Sequence, residues 1–366
     1  MKKSSKIGLG IGGAMCVSGL VLFGVGMSSG GGEYVIASDI NDMNGNIQEQ
    51  KVFTMKKTKL EDIHTAEIDL EELKLTIKPS EDENYYLEYQ VKAKKGKNPL
   101  EYTVENGTLN VTETIEEKFY LISLDLSFLN EWIGNPEKES REEVILYVPS
   151  NKKLDYFSAE MGEYDFYAEG LNSKEADIRV EYGDFVIKNS VLDRGSIVVE
   201  NGGIEADQVE WNEMDVTLQY GSLFVNNSKW DDSSIKVEDG DLESNQLSCT
   251  QTDISVEYGG FMGKNIRMKD SMVSLEDGGM TAEEIAIEGD VTITSEYGDV
   301  LLDVVPENLS GLSISCDTEY GFIEVGDLDG KISENEEEES MSYERKAAQE
   351  EGYLQVECEE GDIEIK

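Results

Sequence analysis

A glycine returns every nineteen residues through the middle of this chain, and that interval limits the possible folds more than any other feature. Gly183, Gly202, Gly221, Gly240, Gly259 and Gly278 keep it without a slip, Gly298 follows after twenty, and Gly162, Gly321 and Gly361 hold the same slot at looser spacing. Self-similarity at such a period marks a solenoid or an array, because one short unit cannot bury its own apolar side and must stack on its neighbours.

Counting from each glycine predicts which side chains face inward. Two and four residues on stand Phe185 and Ile187, Ile204 and Ala206, Leu223 and Val225, Leu242 and Ser244, Phe261 and Gly263, Met280 and Ala282. Seven and nine residues on stand Ser190 and Leu192, Val209 and Trp211, Ser228 and Trp230, Leu247 and Cys249, Ile266 and Met268, Ile285 and Ile287. Five and three residues before it stand Ile178 and Val180, Ile197 and Val199, Val216 and Leu218, Ile235 and Val237, Ile254 and Val256, Val273 and Leu275. Each pair is spaced by two, the period of a strand. None of these 36 positions is charged in a chain that is 30% charged, an outcome expected by chance on the order of a few times in a million. The columns are therefore a core. Three short strands per repeat, each turning alternate residues inward, predict an all-β chain built as a parallel β-solenoid with three-strand rungs of about nineteen residues.

The same glycines admit one competing arrangement. Asn201-Gly202, Asp239-Gly240 and Asp277-Gly278 are strong hairpin signals and would give an antiparallel meander. Tyr182, Tyr220, Tyr258, Tyr297 and Tyr320 stand in the slot before the glycine, where a primed turn asks for a positive φ that tyrosine tolerates poorly. The solenoid is the expected answer.

Taken in order, residues 1–6 are a basic flank with three lysines, and no charge occurs from Ile7 to Gly32. As a helix, residues 7–27 would be about 31 Å long, enough for the ~30 Å hydrocarbon layer. The lysines then predict a single span with a cytoplasmic N-terminus and everything after it extracellular; the flanks of a cleaved signal peptide are missing. Seven glycines in the span are also compatible with close helix pairing. Residues 28–60 form an extracellular linker, and residues 61–143 an N-terminal β-region, with a turn at Asn106-Gly107 and an insertion loop over Phe119 to Glu143. The repeats are expected over 144–330, a charge-dominated acidic loop or short exposed helix over 331–352, and a last rung or cap over 353–366.

An anchor ending in Leu22-Phe23-Gly24-Val25-Gly26, the segment Val144-Ile145-Leu146-Tyr147-Val148-Pro149, and repeats of the type Tyr182-Gly183-Asp184-Phe185 followed by Asn189-Ser190 together resemble the bacterial β-strand-repeat family called putative adhesins. The likeness covers about residues 66–366 and the anchor. It implies a β-solenoid exposed at the bacterial envelope, often in Gram-positive cells, with a role in adhesion or in envelope stress. It carries over no catalytic residues, and the acidic stretch near the C-terminus departs from its pattern.

A net charge of −47 excludes nucleic acid as a natural partner, since phosphate binding needs basic patches. Four cysteines are too few for a disulfide framework; Cys16 falls in the span, Cys249 in an inward column, and Cys316 and Cys358 would pair only if their rungs were neighbours. The single histidine, His64, has no evident catalytic partner, and no phosphate loop, Cys/His metal set or nucleophile elbow appears. The chain is expected not to be an enzyme.

Two outward columns are the candidate sites. Two residues before the glycine stand Glu160, Glu181, Glu200, Gln219, Glu238, Glu257, Glu276, Glu296, Glu319 and Glu359. Stacked at ~4.8 Å, neighbouring carboxylates repel by roughly 0.9 kcal/mol even in water. Relief comes from dispersal into solvent, from protonation, or from a bound cation; calcium is the metal expected, with Glu238, Asp239, Asp241, Glu257, Glu276 and Asp277 as ligands. In the next slot Tyr182, Tyr220, Tyr258 and Tyr297 alternate with Asn201, Asp239 and Asp277. Aromatic rings at regular steps among carboxylates suit a glycan chain, whereas rings folded over the glycine corner would be packing alone. Two functions are open: binding of a cell-wall glycan or surface protein, or a structural or regulatory spacer acting through other membrane proteins.

Overall fold

The computed structural model describes residues 51–93, 97–114, 142–335, 339–349 and 351–366. The expected span 7–27, its basic flank, the linker to residue 50, Cys16 and most of the insertion loop lie outside the described residues. Among those described, no helix is long and apolar enough to cross a membrane.

The described strands join into one 28-stranded sheet that is parallel through the repeats. Registers are offset by one period: Leu223 pairs with Leu242, Trp211 with Trp230, and Tyr220 with Asp239. That pairing rules out the meander, since no strand turns back at a repeat glycine. The glycines sit at corners with φ between +138° and +158° from Gly183 to Gly298. A Cβ on Gly240 would fall on the carbonyl oxygen of Gly221 one rung below, so the stack leaves no room for any other residue there.

The three inward-facing segments expected in each repeat are present, but bends join them into fewer strands: two per rung from Ala176 to Tyr258, and a single strand from corner to corner in Phe261–Asp277 and Met280–Tyr297. Met214–Tyr220 precedes the glycine corner, and Leu223–Asp231 follows it. The latter is bent at Asn227, whose φ of 49° reverses which side of the backbone faces in. This explains why inward positions run two, four, then seven and nine. The bend recurs at Asn189, Gln208, Gln246, Asn265 and Glu284; asparagine leads among non-glycine residues in that conformation because its short amide bonds locally. The repeat that takes twenty residues carries its extra one at Gly289, φ 61°, where the pairing register shifts between Lys269 and Ser271.

The columns are the core. Every one of those side chains is buried, and only Gly263, which has none, is partly exposed. Trp211 and Trp230 stack with ring centroids 5.7 Å apart and planes 4° from parallel, and Phe166 lies 4.9 Å from Phe185. The buried serines seven residues after the glycine are satisfied along the stack, whereas Ser244 Oγ, four residues after it, has no hydrogen-bond partner. Ser228 Oγ donates to Asn226 O at 2.6 Å and accepts from Val209 N at 3.2 Å, and Ser190 repeats the pattern with Lys188 O and Leu171 N.

Both ends depart from sequence order. Strands Thr65–Leu70 and Lys74–Pro79, expected in a separate N-terminal β-region, form a rung that lies between Tyr156–Met161 with Phe166–Glu169 and Thr108–Glu113 with Glu143–Val148. Beyond it the strands become antiparallel: Leu100–Glu105 folds back through Asn106-Gly107, Tyr86–Ala93 lies on Glu143–Val148, and Lys51–Lys59 on Tyr86–Ala93. At the other end Gly352–Glu360 and Ile363–Ile365 lie between the rung ending at Val304 and the strands Leu312–Thr318 and Ile323–Val325. The C-terminal segment is thus the penultimate rung, correcting its expected place as the last. Residues 331–345, expected as an acidic loop or helix, hold the strands Lys331–Asn335 and Ser340–Arg345, which are antiparallel to each other, and Ser340–Arg345 is also antiparallel to Leu312–Thr318 on its other side. Tyr343, buried, and Arg345 pin them. The Arg345 side chain donates to the carbonyls of Leu309 and Leu312 at 2.7 and 2.6 Å.

Candidate binding face

One corner of the stack carries the candidate residues, and the strand registers set their spatial order. Backbone pairing runs Tyr182, Asn201, Tyr220, Asp239, Tyr258, Asp277, Tyr297 and then Glu360. Tyr320 follows, its N–H bonded to Glu359 O at 3.0 Å. The alternation of tyrosine with a small or acidic residue therefore crosses the break in sequence order, because the inserted C-terminal strand supplies Glu360 where an intervening residue is needed. Tyr320 becomes a fifth member of the column. All five rings are between 50 and 58% exposed. Successive tyrosines are two rungs apart, about 9.6 Å, which is beyond the 4.5–7 Å at which aromatic rings pair with one another. Each ring is half-open to solvent beside a strip paved with glycine.

The glutamate column lies one residue away, and the protein's own cations answer part of its repulsion. Lys236 Nζ sits 2.9 Å from Glu238 Oε1 and 2.8 Å from Glu257 Oε1, and these two carboxylates, Glu257 first, hold the lysine pKa above its usual value. Arg179 likewise forms ion pairs with both Glu181 and Glu200. Gln219, uncharged, separates the two clamped pairs. Side-chain cations were not among the reliefs expected from sequence, although Arg179 and Lys236 both stand four residues before a repeat glycine and could have been found by counting. Glu276, Glu296, Glu319 and Glu359 are exposed.

The residues expected to hold calcium are spread over three columns. Glu238 and Glu257 are engaged by Lys236, and Glu276 lies beyond them. Asp239 and Asp277 stand between tyrosines. Asp241 Oδ1 accepts from Gly260 N at 2.9 Å. That bond belongs to a series in which Asp165, Asp184, Asp299 and Asp362 each take the amide of the next rung, at Asp184, Gly203, Asp362 and Phe322. Among the described residues no group of three or more His, Cys, Asp or Glu side chains is arranged to hold a metal ion.

The remaining candidates resolve simply. His64 is exposed, with Nδ1 3.2 Å from Thr65 Oγ1 and 4.0 Å from Asp155. The rungs of Cys316 and Cys358 are neighbours, but Cys316 pairs with Val356 and Cys358 with Thr318, so the thiols are out of register by two residues and both are free. Burial pushes each thiol up to about 12.

The family described as Toastrack DUF4097 matches residues 63–246 and 219–366. No curated protein matches the chain. Among solved structures, a putative cell adhesion protein from Clostridium sporogenes is 10% identical, with 87% of this chain and 99% of that chain covered at a TM-score of 0.24. A putative adhesin from Bacteroides fragilis is 13% identical over the same shares, at 0.27. A third, from Parabacteroides distasonis, is 13% identical over 70% of this chain and 95% of that chain, at 0.24.

Proposed function

The chain belongs to the Toastrack DUF4097 family, and from that premise we propose a non-catalytic, membrane-anchored β-solenoid at the bacterial cell envelope that binds a wall glycan or surface protein along its tyrosine column. The observation that carries this reading is the column itself: five half-exposed rings in line, at every second rung, on a framework that fixes their spacing. Rings folded flat over the glycine corner, the competing explanation, would be largely hidden from solvent. Rigid aromatic faces beside hydrogen-bonding carboxylates suit recognition of a surface that is part apolar and part hydroxylated. Anchoring rests on the uncharged residues 7–27 behind a basic flank, which puts the repeats outside the cell.

Two experiments test it. Full-length protein in detergent is passed over purified cell-wall polymers. Retention that is lost in Tyr220→Ala with Tyr258→Ala supports the reading, and equal retention of the variant refutes the role of the column. Protease added to intact protoplasts is expected to remove the region after Gly32, and protection of that region refutes the topology.

A further inference from the structure

The ligand class can be narrowed, on the premise that the tyrosine column is the binding face. We propose that the column takes a long, unbranched, uncharged β-1,4-linked glycan laid parallel to the stacking axis, engaged at every second sugar. Three features of the corner lead there.

The first is the step. Rungs at ~4.8 Å put tyrosines about 9.6 Å apart, close to two pyranose lengths in an extended chain. In a β-1,4-linked polymer with equatorial linkages each sugar is turned over relative to the last, so the same ring face recurs only at every second sugar. A column with a tyrosine on every rung would meet opposite faces alternately; this one meets the same face each time. The second is what lies between the rings. Asn201, Asp239, Asp277 and Glu360 stand opposite the intervening sugars. Carboxylates there accept hydrogen bonds from sugar hydroxyls, the short charge-assisted kind. The same carboxylates, with the glutamate column beside them in a chain of net charge −47, repel polymers that carry phosphates or uronic acids. The third is continuity. Because Glu360 is threaded between Tyr297 and Tyr320, the ladder runs without interruption from Tyr182 to Tyr320, eight rung steps or about 38 Å. An extended chain of nine sugars reaches all five rings.

The geometry therefore fixes how affinity depends on length. Full-length protein is titrated calorimetrically with defined β-1,4 oligosaccharides of glucose and of N-acetylglucosamine, from two to twelve sugars. The expected result is an affinity that rises roughly tenfold for each further tyrosine reached, that is for every two sugars added, and levels off once all five are covered. Tyr258→Ala, in the middle of the ladder, is expected to lower the affinity of the longest oligomers by at least tenfold while leaving the melting temperature unchanged. Affinity independent of length, a plateau already at two or three sugars, or stronger binding of an anionic polymer overturns the proposal. Its failure is separable from failure of the premise. If wall polymers retain the wild type but not the tyrosine variant and these oligomers do not bind, the column binds another ligand class; if neither binds, the column is not a glycan-binding face.

Discussion

Trp230→Ala tests the assignment of inside and outside on which every functional argument depends. Trp230 is fully buried and stacked on Trp211 at 5.7 Å, with Cys249 as its partner in the following rung. Deleting a buried indole costs about 3–5 kcal/mol, and loss of the ring stack adds up to ~1.5 kcal/mol, so a loss near 4–5 kcal/mol is expected. Neither indole N–H has a protein hydrogen-bond partner, so truncation breaks no such bond and the loss is one of packing. Trp230→Phe, which keeps a stacking face and removes an unpaired donor, is expected to cost less than half as much. Tyr220→Ala, at a ring 58% exposed, is expected to stay within about 0.5 kcal/mol of wild type. Urea unfolding followed by far-UV circular dichroism gives the differences from the midpoints, provided the slope is unchanged. Equal losses for Trp230→Ala and Tyr220→Ala would refute the assignment.

Lys236→Met leaves Glu238 and Glu257 facing each other without their cation; its melting temperature is expected to fall at low ionic strength and to recover with added salt more than wild type does. Calcium and magnesium at matched ionic strength are expected to restore it about equally, and a large calcium-specific gain would show a site at the glutamates. Cys316 and Cys358 are expected to ignore a thiol reagent at mildly alkaline pH until urea unfolds the chain, since burial holds both near 12; prompt labelling of the native protein would contradict their placement. Burial raises the pKa of both Glu113 and Asp317, the latter also feeling Glu357 and Glu344, so the folded state binds these protons more tightly than the unfolded one. Stability is therefore expected to rise as pH falls from neutral toward about 5, and to flatten below the unfolded carboxylate values near 4. Asp155 and Glu283, held down by Lys174 and Lys264, oppose this only at lower pH. A Glu113→Gln variant with an unchanged slope would remove that group from the account.

Most of the middle of the molecule was legible because burial forbids charge, and a column that excludes charge through six rungs leaves a count that composition cannot imitate. What escaped was polar. Ala176, Gly195, Met214, Ser233, Thr252 and Ser271 form a seventh column toward the core, passed over because every member but Met214 is small or hydroxylated. Ser233 shows why it fits: Oγ donates to Asp231 O at 2.9 Å and accepts from Met214 N at 3.2 Å. The bend at Asn227 and its equivalents carried a signal, a run of Asn and Gln six residues after the glycine, but helix and strand periods do not report a left-handed residue inside a strand. The tyrosine alternation was visible as far as Tyr297. Its continuation through Glu360 to Tyr320 was not, because it depends on which strands are neighbours rather than on their spacing in sequence.

That neighbour order has a physical origin at the ends of the stack. A solenoid must stop, and a terminal rung would expose a row of unpaired amides and carbonyls to other chains. Here the chain leaves the stack after Val304, and at that point Asn308 imitates a strand: its side-chain amide donates to Ile287 O at 2.8 Å and accepts from Ile287 N at 2.7 Å. The strand Leu312–Thr318 then takes its place one rung further out and is covered on its free side by the antiparallel strands 331–345, clamped by Arg345. The gap left behind is filled by the last residues of this sequence, with Lys366 N bonded to Leu302 O and Lys366 O accepting from Val304 N. Because Gly352–Ile365 closes against two edges that the rest of the fold has already set, its register is fixed from both sides. The corner it completes is the one where the tyrosine spacing has to be kept.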